Sequence, residues 1–139
     1  MLEAQTVQHR GFRNIEKDGK VIGFQVCVRQ QGYLGVWLSE LRPGAVIVDG
    51  VEYKGDQVTW NISGVDYTEE EMLKLGRVKW PLKEVAVLKI MKEGGLSQGE
   101  HEVSTTFGHI ASYIPPRMDE MAGKPNPFHQ EEPRKLIIV

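Results

Sequence analysis

Hydrophobic and polar residues alternate along most of this chain with a period of two, the repeat of a strand with one face buried. In Val21 to Arg29, Ile22, Phe24, Val26 and Val28 point one way, and Gly23, Gln25, Cys27 and Arg29 the other. That pattern predicts a half-buried strand. Val58-Thr59-Trp60-Asn61-Ile62 alternates as cleanly. Tyr33 to Leu38 is rich in aromatic and β-branched residues, and Gly35 within it reads as a bulge. Shorter strands are expected at 45–48, 51–53, 65–67, 78–80 and 84–91, while residues 1–10 show no strong period and read as an edge strand or arm.

The breaks between these runs carry turn chemistry. Asp18-Gly19 and Asp49-Gly50 are hairpin dipeptides, because both central residues of a type I′ turn need positive φ. Ser63-Gly64 and Lys54-Gly55-Asp56 also read as turns, and Arg42-Pro43-Gly44 places Pro and Gly where a type II turn wants them. One helix interrupts. Thr68 with Glu71 three residues on forms a capping box, Met72, Leu73 and Leu75 follow, and Gly76 reads as the stop. Glu69, Glu70 and Glu71 suit the positive end of that helix. They fan out at about 100° each, so they cannot converge on one metal ion.

The longest run opens with Gly94-Gly95, bends at Gly99, and continues from Glu100 to Ile114 as one strand. His101, Val103, Thr105, Phe107, His109, Ala111 and Tyr113 share one face of it, and Pro115 and Pro116 end it. About eight short strands, a single helix and turns at short intervals predict an all-β, antiparallel β-sandwich, with an open β-barrel as the alternative. The expected domain is 1–116. Residues 117–139 read as an extended, Pro-rich tail, since the segment from Pro115 holds five of the seven prolines. Its apolar tip, Leu136 to Val139, suits adding a strand to a partner or folding back on the sandwich, and the first is favoured.

Composition narrows the function classes. A chain of 139 residues with a formal charge of −2 has no field to draw nucleic acid or an anionic membrane. No apolar run approaches the ~18 residues of a membrane span, and no basic-then-apolar signal opens the chain. The single cysteine, Cys27, excludes an internal disulfide and points to a cytoplasmic protein. It reads as a packing residue rather than a nucleophile. His9, His101, His109 and His129 lack metal-ligand spacing. His101 and His109 share a face but lie about 26 Å apart at ~3.3 Å per residue. Trp37, Trp60 and Trp80 fall in strands, where packing is the ordinary role. No nucleophile elbow, phosphate loop or CxxC is present. The residues describe an interaction domain without a site of its own.

Several segments in order resemble one family: Gly11-Phe12-Arg13-Asn14, Lys20 to Val26, Tyr33 to Leu38, Val48-Asp49-Gly50-Val51, Tyr67-Thr68, Val78-Lys79-Trp80, Gly94 to Val103 and Ser112 to Pro115. Together they are similar to the small β subunit of bacterial C-glycoside deglycosidases over roughly residues 10–116. The resemblance implies a heteromeric carbon–carbon lyase of flavonoid-type catabolism. Its TIM-barrel α subunit would hold a divalent metal, usually taken as manganese. The substrate would be a C-glycoside already oxidised to a 3-keto sugar, cleaved from its phenolic aglycone by β-elimination. This chain would carry no cofactor and no catalytic residue, and would be inactive alone.

Candidates for the partner interface are Tyr113, Ile114, Pro115 and Pro116 where the long strand leaves the sandwich, with Arg13 and Trp37. Leu136 and Ile137 join them from the tail. Two alternatives stay open: a stand-alone carbohydrate-binding or protein-interaction module using a tryptophan patch, and a homo-oligomeric enzyme using His101 or His109 as acid or base.

Overall fold

The computed structural model describes residues 2–30, 35–109 and 133–139 of the chain. Among these residues eleven strands and one short α-helix form three antiparallel sheets, and no barrel closes. The strands are β1 (Arg13–Lys17), β2 (Lys20–Val28), β3 (Val36–Trp37), β4 (Leu41–Val48), β5 (Val51–Lys54), β6 (Val58–Ile62), β7 (Val65–Tyr67), β8 (Lys79–Trp80), β9 (Ala86–Met91), β10 (Gly99–His109) and β11 (Arg134–Ile138). The helix, α1, spans Glu69–Leu73. A five-stranded sheet runs β1-β2-β9-β6-β7 and a four-stranded sheet β11-β10-β4-β5. The expected sandwich is the observed fold, with β3 and β8 as a two-stranded sheet beside it.

Three hairpins turn on the dipeptides the sequence marks. Asp18-Gly19, Asp49-Gly50 and Ser63-Gly64 all have positive φ at both residues, which fits the twist of the strands they join. Thr68 caps α1 as expected: its Oγ1 accepts from the Glu71 N–H, and the Glu71 carboxylate accepts from the Thr68 N–H. The helix ends at a right-handed Lys74, before Gly76 is reached.

The core lies between the two large sheets. Phe24 on β2 meets Tyr53 on β5 edge to face at 5.3 Å between ring centroids. Trp60 on β6 meets Phe107 on β10 at 5.4 Å, and Trp80 on β8 packs against both. Trp60 and Trp80 are 2% and 0% exposed, so both belong to the core. Edge-to-face rings of this kind add about 0.5–1.5 kcal/mol per pair beyond the area they bury.

Four expectations are corrected. Arg42-Pro43-Gly44 is not a turn but part of β4. Opposite it, Thr106 pairs with Ala45 and Gly108 with Arg42, so two residues of β4 face the single residue Phe107. This is a β-bulge, which accommodates Pro43 because the ladder is interrupted there. Gly44 is needed because a Cβ would stand 1.5 Å from the Thr106 carbonyl oxygen.

The second correction concerns β2, which is buried on both faces from Gly23 to Val28. The N-terminal arm covers the second face. The Gln25 side-chain amide donates to the Gly11 carbonyl at 3.0 Å, and Val7 bridges to Val28. Third, Gly35 precedes β3 instead of bulging within a strand, and Trp37 leads into a 3₁₀ turn at Leu38–Glu40. Tyr33 and Leu34 lie outside the described residues.

Fourth, the chain's last strand belongs to the sandwich. β11 pairs antiparallel with β10, from Gly99 opposite Ile138 to Val103 opposite Arg134. Leu136 and Ile138 are buried in the common core. The Arg134 guanidinium donates to both carboxylate oxygens of Glu3 and to the Val7 carbonyl. The apolar tip therefore folds back on its own domain, because alternate residues of β11 find their apolar face there.

Candidate functional site

Along one face β10 makes two kinds of contact. At one end Phe107 enters the aromatic cluster. At the other, His101 is 7% exposed and its two ring nitrogens face two acceptors. Nδ1 lies 2.6 Å from Asp49 Oδ2, and Nε2 lies 2.7 Å from the Ser97 carbonyl oxygen. Phe12 meets the ring edge to face at 6.3 Å.

Local sequence produces this arrangement. Asp49 takes the first left-handed position of the β4–β5 turn, φ 51°, which turns its carboxylate back toward β10. Its Oδ1 accepts from the Glu102 N–H at 2.9 Å, and the Asp49 N–H donates to the Glu102 carbonyl at 2.9 Å. The hairpin tip is thus bonded to β10 beyond the regular ladder. Ser97 comes from the segment between Gly94 and β10, which Asn14 holds by accepting from the Leu96 N–H and donating to the Leu96 carbonyl.

Burial opposes charge on the His101 ring, but the Ser97 carbonyl and the Asp49 carboxylate outweigh it and raise the histidine above its ordinary range. Asp49 is held below the usual carboxylate range by the His101 hydrogen bond and then by the Glu102 N–H. These groups bond one another. An acid–base role for His101 would need a substrate to displace Asp49 or Ser97. For His109 the structure gives the backbone pairing with Leu41.

Cys27 is buried and free, and burial pushes its thiol up despite the positive charge of Arg13. It packs, as expected. Among the described residues no three His, Cys, Asp or Glu side chains come together as metal ligands, and no helix is long and apolar enough to cross a membrane.

The described interface candidates lie on three different sheets. Arg13 is exposed on β1, the edge of the five-stranded sheet. Trp37 is half-buried on β3, with Lys79 Nζ 4.8 Å from its ring centroid. With Trp60 and Trp80 in the core, the three tryptophans form no common exposed platform. Leu136 is 0% exposed, which corrects its assignment to a partner surface: its side chain already has an apolar site within the domain. Ile137, on the other face of β11, is 57% exposed. Tyr113, Ile114, Pro115 and Pro116 lie outside the described residues.

Two features had no signal in the sequence. Gln30, 1% exposed, donates from Nε2 to the Trp80 carbonyl at 2.8 Å, while its Oε1 has no donor among the described residues. A shallow, open depression of about 530 Å³ lies beside the Pro43-Gly44 bulge, between Glu52, Lys54, Glu69 and Thr106. Partial burial raises the Glu69 carboxyl, and the Gly55 N–H opposes the shift. Nothing in this hollow resembles a catalytic grouping.

A family model described as C-glycoside deglycosidase beta subunit matches residues 2–113. The chain is also 39% identical over 147 aligned positions to a C-glycoside deglycosidase beta subunit of Eubacterium cellulosolvens, covering 99% of this chain and 100% of that protein. The sequence resemblance and both comparisons agree: this chain belongs to the C-glycoside deglycosidase β-subunit family.

Proposed function

We propose that this chain is the accessory subunit of a heteromeric carbon–carbon lyase, and that a TIM-barrel α subunit supplies the reacting groups and a divalent metal, manganese in our reading. The substrate class is a C-glycoside whose sugar has been oxidised to the 3-keto form. The ketone acidifies the neighbouring C–H, and a base takes that proton. The electron pair then forms the sugar's new double bond as the anomeric carbon–aryl bond breaks. A proton returned to the aryl carbon gives the free phenol beside a dehydrated keto-sugar, so atoms and charge balance.

Family membership is the observation that carries this reading. The described residues agree with a supporting role. The perturbed histidine is occupied by Asp49 and Ser97, and the thiol is buried. We assign no step to a residue of this chain. The surface offered to the α subunit is proposed to include the end of the long strand, Tyr113 to Pro116, together with Trp37, Arg13 and Ile137. A cytoplasmic location is part of the same proposal.

The test is co-expression with the TIM-barrel subunit, size exclusion with light scattering, and an assay on a 3-keto C-glycoside. Co-elution, with free phenol released only when both chains are present, is the expected result. A chain that elutes alone and adds nothing to the α subunit's activity would refute the proposal.

A further inference from the structure

We propose that His101 is a proton-dependent clamp, holding the Asp49-Gly50 hairpin tip and the segment before β10 together while its ring is an imidazolium. The argument rests on which groups can donate. A carbonyl oxygen cannot donate a hydrogen bond, so the 2.7 Å contact to Ser97 requires a proton on Nε2. The 2.6 Å contact to Asp49 requires a second proton, on Nδ1 or on the carboxyl. Asp49 Oδ1 already accepts from the Glu102 N–H, and this side chain is 50% exposed, both of which favour the carboxylate. The second proton therefore belongs to the ring, making both nitrogens donors.

Groups around the ring do not replace this arrangement. From the N-terminal arm Phe12 offers an apolar edge, and from β11 the residue opposite His101 is Leu136, while Arg134 on the same face of β11 is bonded to Glu3 and the Val7 carbonyl. The charges of Glu100, Glu102 and Lys135 stand on the other face of their strands, where Lys135 and Glu100 approach each other at 3.7 Å. On β5, Tyr53 lies near enough to Asp49 for the carboxylate to add to the upward push of burial on its phenol. Asp49 is thus the anion that faces the ring.

When the ring loses a proton it keeps one N–H. Either the Ser97 carbonyl or the Asp49 carboxylate then faces a lone pair, and one bond of the clamp opens. The hairpin tip and the segment from Gly94 to Gln98 lose their common tie, while the β10–β4 ladder and the aromatic cluster remain. The result is a local loosening at one end of the sandwich that sets in as pH rises.

The test uses the full chain labelled with ¹⁵N and ¹³C, and it is independent of any partner or substrate. At about pH 6 both His101 ring nitrogens are expected to show the shifts of protonated nitrogen, with a midpoint above the ~6.5 of a free histidine. The backbone amides of Gly50 and Glu102 should titrate with the same midpoint. Hydrogen exchange at Glu102, corrected for intrinsic rates, should quicken by about tenfold across that transition. In Asp49→Asn the His101 midpoint should move down. One unprotonated ring nitrogen at about pH 6, or Glu102 exchange indifferent to the titration, would overturn the proposal. Since the parent chain alone decides these two readings, a failure of Asp49→Asn to fold leaves the test intact.

Discussion

The two ends of β10 are fastened by different physics: Phe107 to the opposite sheet, and His101 to the β4–β5 turn of its own sheet and to the segment before β10. Phe107 is held by Trp60 and Trp80, in contacts that carry no proton and tolerate small shifts of the rings. His101, on the same face and about 20 Å away at ~3.3 Å per residue, is held by two short hydrogen bonds that fail if either direction is lost. The aromatic end supplies buried area and the polar end supplies geometry. The first should dominate stability and ignore pH, and the second should contribute less but fix the hairpin tip and respond to protons.

The hardest test of that contrast is Trp80→Ala. Removing a fully buried indole leaves a cavity beside Trp60 and Phe107, and a loss of about 4 kcal/mol is expected in urea unfolding. The loss should be the same across the pH range where the chain stays folded. A loss below about 1 kcal/mol would mean that the cluster is not the main anchor.

Next is β11, which covers the polar end. Leu136→Ala should cost about 3 kcal/mol, whereas Ile137→Ala, one residue away on the other face, should change the isolated chain's stability by less than about 0.5 kcal/mol. If Ile137 contacts the α subunit, the second variant should weaken complex formation while the chain's own unfolding midpoint stays put. Equal costs for the two would refute the assigned register.

The pH dependence sharpens the comparison from the polar side. His101 has its folded value raised, so the clamp's contribution is complete below the unfolded value of about 6.5 and is lost as pH rises through the folded one. Asp49 has its value lowered, so its contribution is complete above about 3.9 and is lost as pH falls through the lowered folded value. Stability from this pair should therefore be greatest between about pH 4 and 6.5 and decline toward alkaline pH. His101→Gln should cost about 1–2 kcal/mol at about pH 6, and the parent's alkaline decline should flatten in the variant. A parallel decline in both proteins would place the titrating group elsewhere.

The smallest effect lies near the aromatic end, where α1 buries Met72. Thr68→Ala removes the cap from the Glu71 N–H and should cost about 1 kcal/mol, again without pH dependence above the carboxylate range. A cost that changes between about pH 6 and 8 would show that the two ends are coupled.

Features set by neighbours in sequence could be read from the chain. The Asp-Gly turns, the Thr68 capping box and the alternation of β6 need only a few adjacent residues, and each appears where it was expected. Features set by distant partners could not. Pro43-Gly44 is a turn by local rules and becomes a bulge only because Thr106 to Gly108 runs beside it. The second face of β2 looks half-polar until the arm around Gly11 covers Gln25 and Cys27. Leu136 and Ile138 read as a sticky end until β10 provides their partner.

The functional reading divides in the same way. The family was legible from the order of its blocks, but neither half of the His101 clamp marks the other. Asp49 and His101 are 52 residues apart, and each has an ordinary local role, one in a turn and one in a strand. Arg13, Trp37 and Ile137 were proposed from residue type, which says nothing of whether they share a surface. They lie on three different sheets.

The placement of β11 has a consequence for the order of folding. Arg134, the first residue of β11, follows its pairing partner Val103 by 31 positions in the chain. Until that loop closes, the folding sheet presents β10 as an open edge, with His101 and Val103 awaiting Leu136. An unpaired edge of that kind invites pairing with another chain. Folding thus includes a brief exposure that the finished fold conceals, and a crowded solution of refolding chains would give it the most chances to go wrong.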